Sequence, residues 1–190
     1  MGKPLILGIV GEKSSGKSIV FEYLATKRGI FSGRTSAVLE DILRRLHLDV
    51  SSRPNNAKLA EALRHTFGQD ILPQAVLADA AGRRARVIVV EGIRRLAELA
   101  PLRRLPNFRL LYVTAPIEVR WHRAQSRTQK KRSDDQVTLA QYRRIEQTLI
   151  TEKEVPRLGR LADVRINNTG TKRQLFSDVD AALRRLSGRQ

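Results

Sequence analysis

The residues best suited to do chemistry are consecutive. Gly11-Glu12-Lys13-Ser14-Ser15-Gly16-Lys17-Ser18 fits the pattern G-x-x-x-x-G-K-[ST]. Gly11 and Gly16 let the backbone curl, so that N–H groups around Ser14 and Ser15 surround phosphate oxygens. A helix opening near Lys17 adds the positive end of its dipole. Lys17 then sets a point charge on the β and γ phosphates of a nucleotide, and the Ser18 hydroxyl can ligate Mg²⁺. A second group lies at Val87-Ile88-Val89-Val90-Glu91-Gly92. There Glu91 is a carboxylate at the end of a buried strand, where it can orient Mg²⁺ or its water. Arg94 follows at the same strand end, where ligands bind in open α/β sheets. Arg120, Arg123 and Arg127 recur at i, i+3 and i+7, so one helical face carries three guanidiniums.

These groups need a scaffold, and the hydrophobic pattern supplies one. Leu5–Val10 is a short apolar run ending at glycine, which predicts a buried strand. Ile19, Val20, Tyr23 and Leu24 recur at helical spacing until Gly29. Val38 to Leu46, Leu59 to Phe67 after Pro54, and Ile71 to Ala81 predict three further helices. Val87–Val90, Leu110–Val113 and Val164–Ile166 read as strands. Pro116 opens a helix running to about Arg127. Thr138–Gln141 and Thr171–Gln174 have capping-box spacing, opening helices to about Thr151 and Gly188. Strands alternating with helices argue for an α/β fold around a parallel sheet. The expected layout is a core of residues 1–35, 82–119 and 155–190. A helical acceptor-binding insertion covers 36–81, and a lid region covers 120–154, with the polar stretch 128–136 as its moving part.

A chain of 190 residues is long enough for one substantial domain. No window approaches the ~18 apolar residues of a membrane span, and the Leu5–Val10 run is too short for a signal-peptide core. The absence of cysteine excludes disulfides, thiol nucleophiles and Cys-ligated zinc. A cytoplasmic protein without a membrane partner is the expectation. The net charge of +17 comes from 36 Lys and Arg against 19 Asp and Glu. Arginines stand in pairs spread along the whole chain, at 44–45, 83–84, 94–95, 103–104, 143–144 and 184–185. A field this positive attracts phosphates, whether of nucleotide or nucleic acid, although much of it can be plain solvated surface.

Several nucleotide-binding classes are excluded by absence. There is no Asn-Lys-x-Asp guanine element and no LSGGQ-like signature, and Asp79–Gly82 precedes a strand where a GTPase switch would follow one. The small phosphotransferases remain. They bring two phosphate groups together and need arginines to neutralise both. The chain resembles the nucleoside-monophosphate-kinase branch of P-loop proteins, and within it the dephospho-CoA kinases. The likeness is carried by Gly11–Ser18, by Glu91-Gly92-Ile93-Arg94, and by Leu110–Pro116 followed by Arg120, Arg123 and Arg127. It continues in Arg144–Gln147, Leu161–Asp163 and Ile166–Gly170. The resemblance implies a three-layer P-loop NTPase fold, ATP as donor and Mg²⁺ as cofactor. It also implies that Asn168 and Gly170 lie near the adenine. The strand-end Asp that such kinases carry soon after the first helix is missing from Gly29–Thr35, and so is their His-Pro element after Glu91.

The sequence thus predicts an ATP-dependent phosphotransferase acting on a small phosphate-bearing acceptor, either dephospho-CoA or a nucleoside or deoxynucleoside monophosphate. Lys17, Glu91, Arg123 and Arg127 are the catalytic candidates. Gly11 through Ser18, with Asn168 and Gly170, hold the nucleotide. Ser18 and Glu91 hold the metal, while Arg94 and Arg64 hold the acceptor. Glu40 or Asp41 is an alternative base. Rival readings are a nucleic-acid-associated NTP-binding protein, a polynucleotide kinase, or a regulatory ATP binder without transfer activity. Against the first, aromatics are 5% and form no stacking platform. His47 and His65 read as surface residues, and Trp121 as packing between the lid helix and the sheet.

Overall fold

The computed structural model describes residues 3–126, 137–148 and 150–188. Five strands form one parallel sheet: β1 (Leu5–Val10), β2 (Ile30–Arg34), β3 (Val87–Glu91), β4 (Phe108–Thr114) and β5 (Val164–Asn167), in the order β2-β3-β1-β4-β5. All six residues of β1 are buried, as an apolar strand at the centre of a parallel sheet must be. The chain turns from β1 toward β3 on one side and β4 on the other. The carboxyl end of β1 is therefore the switch point at which such sheets bind ligands.

Helices cover both faces. α1 (Lys17–Ala25) and α9 (Lys172–Ser187) close one face over a core that includes Leu7, Ile9, Leu24, Leu111, Val113 and Val179. α4 (Ile71–Asp79), α5 (Leu96–Arg103) and α8 (Ile150–Arg160) close the other, over Val10, Val90, Leu99, Leu110, Tyr112 and Leu158. The result is the expected three-layer α/β architecture. α2 (Thr35–Arg45), α3 (Arg53–Phe67) and α4 share a small core at Leu39, Ala60 and Leu72. α6 (Ile117–Gln125) and α7 (Leu139–Thr148) complete the chain order. Both halves of the predicted capping box at α7 form, Gln141 N to Thr138 Oγ1 at 3.3 Å and Thr138 N to Gln141 Oε1 at 2.9 Å.

Three elements differ from the sequence reading, each for a local reason. β2 goes unread because Ser32 and Gly33 interrupt its short apolar run. α5 contains Pro101 and lacks a polar stripe, so its eight residues carry no helical period. The helix from Thr138 was expected to end near Thr151. Instead α7 ends at Thr148 and a separate helix, α8, follows with Pro156 inside it. The Trp121 Nε1 donates to the Val137 carbonyl at 2.6 Å, which ties α6 to the approach of α7. The helix from Pro116 is described to Gln125, and the predicted moving stretch 128–136 lies outside the described residues, as does Arg127.

Candidate active site

The phosphate loop joins β1 to α1 at the switch point. Gly16 is the N-cap residue of α1 with φ of +100°, a conformation that L side chains rarely adopt. A Cβ there would also collide with the side-chain amide of Asn168. The loop carbonyls are occupied by protein donors. Asn168 Nδ2 donates to Ser15 O at 2.8 Å, Tyr142 Oη to Lys13 O at 3.1 Å, and Lys17 Nζ to Glu12 O at 3.3 Å. Arg120 Nη1 reaches Lys13 O at 3.4 Å. A loop whose carbonyls are engaged in this way presents its N–H dipoles to an incoming anion. Ser15 is fully buried, and its hydroxyl has no partner among the described residues. Buried hydroxyls are rarely left so, and this one packs against Gly11, where a Cβ would come within 2.7 Å of it.

Arg120 does not share the role expected for its helical face. It is 6% exposed and makes a two-pronged ion pair with Glu146 of α7, while its Nε donates to Ala115 O at 2.9 Å. Burial alone would lower its pKa; the hydrogen bonds and charge of Glu146 outweigh that and raise it. Arg120 is therefore a strut between the loop, α6 and α7. Burial pushes the Tyr142 phenol up as well, and the nearby Glu146 charge adds to it. Across the loop, Tyr112 donates a hydrogen bond to the buried carboxylate of Glu12. Desolvation, and then that bond, push the Tyr112 phenol up to about 12. The stability this neutral phenol contributes is full below pH ~10 and is lost as pH rises toward 12. Thermal melts at stepped pH should show a steeper decline over that window for wild type than for Tyr112→Phe; parallel declines would contradict the burial.

The carboxyl ends of β2 and β3 form the other half of the site. Arg34 stands in register with Glu91, and its Nε donates to Glu91 Oε2 at 2.8 Å. The guanidinium also lies 4.3 Å from the ring centroid of Phe21. Beyond Glu91, Gly92 has φ of +110°, and a Cβ there would strike the Thr35 side chain at the start of α2. Glu98, 1% exposed, organises the segment that follows. Its Oε2 accepts from the backbone N–H groups of Arg94 and Arg95 at 2.7 and 3.1 Å, and its Oε1 takes Arg64 Nη2 at 2.6 Å. A cavity of about 320 Å³ runs beside β2 between Phe21, Arg34, Asp41 and Val76 and includes none of the loop residues.

The structure thus brings Lys17, Ser18, Glu91 and Arg94 to the carboxyl end of the sheet, as the sequence predicts. Arg64 reaches the same region, held by Glu98. Arg123 is half-buried on α6, and its Nη1 is buried without a partner among the described residues. Asn168 sits against the loop with its amide on the Ser15 carbonyl; Gly170 is exposed just beyond it. Asp41 is exposed and paired with Arg44. Sequence reasoning missed Arg34, Glu98 and Glu146. Only the Arg34–Glu91 register, which needs β2, could have revealed the first.

The fold is that of P-loop kinases. The chain superposes on shikimate kinase from Bacteroides thetaiotaomicron with a TM-score of 0.61 at 16% identity, covering 96% of this chain and 98% of that one. On a gluconokinase from Sinorhizobium meliloti the TM-score is 0.60 at 19% identity, with 97% and 94% covered. TT1252 from Thermus thermophilus gives 0.60 at 25% identity, with 97% of each chain covered. By sequence, the chain belongs to the UPF0200 proteins. It is 32% identical over 132 residues to one from Methanosarcina barkeri, covering 68% of each chain. It is 29% identical over 193 residues to one from Methanoculleus marisnigri, covering 97% of this chain and 98% of that one. No family model matches the chain.

Proposed function

We propose that this protein is a P-loop phosphotransferase that moves the γ-phosphoryl group of ATP to a small phosphate-bearing acceptor. The observation that carries the reading is the loop itself: engaged carbonyls, an unpartnered buried hydroxyl at Ser15, and a left-handed Gly16 opening α1. In this reading Lys17 and the loop N–H groups hold the β and γ phosphates. Ser18, exposed in the first turn of α1, and Glu91 supply two oxygen donors suited to Mg²⁺, and the nucleotide's phosphates would add the rest. The metal, when bound, neutralises charge on the transferring group.

The acceptor would lie across Glu91 from the loop, on the side of the insertion α2–α4. Arg94 holds its phosphate, and Arg64 supports Arg94 through Glu98. Arg123, with Arg127, stabilises the charge that develops during transfer. Dephospho-CoA and the nucleoside and deoxynucleoside monophosphates are the acceptor classes proposed from the sequence resemblance. An assay of ADP formation with Mg²⁺ and ATP against a panel of these acceptors tests the proposal. Stimulation by one small acceptor is the expected result; turnover that none stimulates would contradict it.

Arg34 is assigned a positioning role. It holds Glu91 from the neighbouring strand, and a hydrogen bond to a charged group contributes about 1.5–3 kcal/mol. Arg34→Met should lower kcat about 10–100-fold with a smaller change in KM for ATP, and Arg34→Lys should recover part of the loss. Equal effects of Met and Lys on both constants would remove Arg34 from the site.

A further inference from the structure

The net charge of this chain is unevenly placed. In a parallel α/β sheet the strands begin, and their covering helices end, on the face opposite the ligand site. Six segments reach that amino-terminal edge here: residues 3–4, 26–29, 80–86, 103–109, 157–163 and 183–188. Backbone bonds run across it from strand to strand. Arg86 N donates to Gly29 O at 2.7 Å, Leu5 N to Arg86 O at 2.9 Å, and Ile6 N to Asn107 O at 2.9 Å. These segments contain thirteen Lys and Arg and one carboxylate, Asp163, while Asp79 and Asp180 stand in the adjoining helix turns. The six segments therefore carry +12 of the chain's +17, and all other residues together carry +5.

Helix dipoles account for part of this, since cations are favourable at helix C-termini. That account stops at the last turn. Arg28, Arg83, Arg84, Arg86 and Lys3 lie in the loops beyond, and all five are exposed. At the opposite end cations are matched by carboxylates, as in Arg34–Glu91, Arg64–Glu98 and Arg120–Glu146. The amino-terminal edge has two such pairs among the described residues, Lys27–Asp180 and Arg103–Asp163.

We infer that this edge is a docking surface for the phosphate backbone of a double-stranded nucleic acid. Five strand ends at ~4.8 Å spacing span about 20 Å, and a duplex carries one charge per ~1.7 Å of axis. A duplex segment of that length carries roughly a dozen phosphates, of which about half face the edge. Arginine, which dominates it, binds phosphate oxygens in pairs. A single strand is disfavoured because the aromatics here are occupied: Arg83 lies over Phe31 at 4.9 Å, and Phe108 is buried under Arg103. An anionic membrane is disfavoured because, among the described residues, three of the four exposed large hydrophobics, Leu46, Leu48 and Phe67, lie on the insertion and only Leu161 lies here. The surface is remote from the phosphate loop, so a duplex and ATP can bind together.

The test is fluorescence anisotropy of a labelled ~20-base-pair DNA or RNA duplex, with anionic lipid vesicles and a single strand as separate arms. Neutralisation of about five phosphates predicts that duplex affinity falls on the order of 10²–10³-fold between 50 and 200 mM salt. Arg83→Glu/Arg84→Glu/Arg184→Glu/Arg185→Glu should weaken binding more than about 30-fold. Arg44→Glu/Arg45→Glu/Arg53→Glu/Lys58→Glu, the same charge change on the insertion, should stay within about threefold. If the first variant melts early, Arg83→Gln/Arg84→Gln against Arg44→Gln/Arg45→Gln repeats the comparison. Equal losses in both variants, no duplex binding at 50 mM salt, or binding to vesicles alone would overturn the inference.

Discussion

Lys17→Ala is expected to abolish acceptor-stimulated turnover, by 10²–10³-fold or more, while leaving the fold intact. The magnitude follows from removing one preorganised charge aimed at the transferring group. The fold should survive because Lys17 is a half-exposed residue at the surface end of α1 that contributes no core packing. Its ammonium donates to the Glu12 carbonyl, and surface substitutions away from the core usually change stability by less than about 0.5 kcal/mol. Steady-state kinetics alongside a thermal melt separates the two effects. Loss of activity with an unchanged melt supports the assignment; turnover near wild type would remove Lys17 from the chemistry.

The largest expected effect on stability is at Glu98. This carboxylate is 1% exposed, holds two backbone N–H groups ahead of α5 and neutralises Arg64, whose side chain is 11% exposed. Removing one partner of a buried pair costs about 3–5 kcal/mol, because the other charge is left uncompensated. For a chain of this size that lowers the melting temperature by on the order of 10 °C. Adding Arg64→Met to Glu98→Ala should restore part of the loss, since the stranded charge is then gone. Additive losses would show that the two side chains are not coupled. Because Glu98 also fixes the backbone at Arg94, the single variant should impair acceptor binding at temperatures where it is still folded.

The phosphate loop is legible in sequence because its chemistry is local. Eight consecutive residues specify the turn, the helix start and the charge, and a buried strand precedes them. The main strands are legible because β1, β3 and β4 are buried on both faces and read as unbroken apolar runs. The struts are not legible. Arg120 is spaced in sequence like Arg123 and Arg127, and only the packing of α6 on α7 separates its role from that of Arg123. Arg34 and Glu91 are 57 positions apart and meet only through strand pairing. Asn168 lies 153 positions from the carbonyl it holds. The location of the positive charge is hidden for the same reason. The arginine pairs look dispersed along the chain, and the parallel topology gathers six segments at one edge.

The most direct test of the phosphotransferase reading is the fate of the γ-phosphoryl group. The protein would be incubated with Mg²⁺, ATP and the most stimulating acceptor, and the acceptor analysed by mass spectrometry beside the ADP formed. The account predicts one phosphoryl group gained by the acceptor for each ADP, with neither produced by Lys17→Ala. ADP and free phosphate accumulating over an unchanged acceptor would contradict it and leave an ATP hydrolase on a kinase fold.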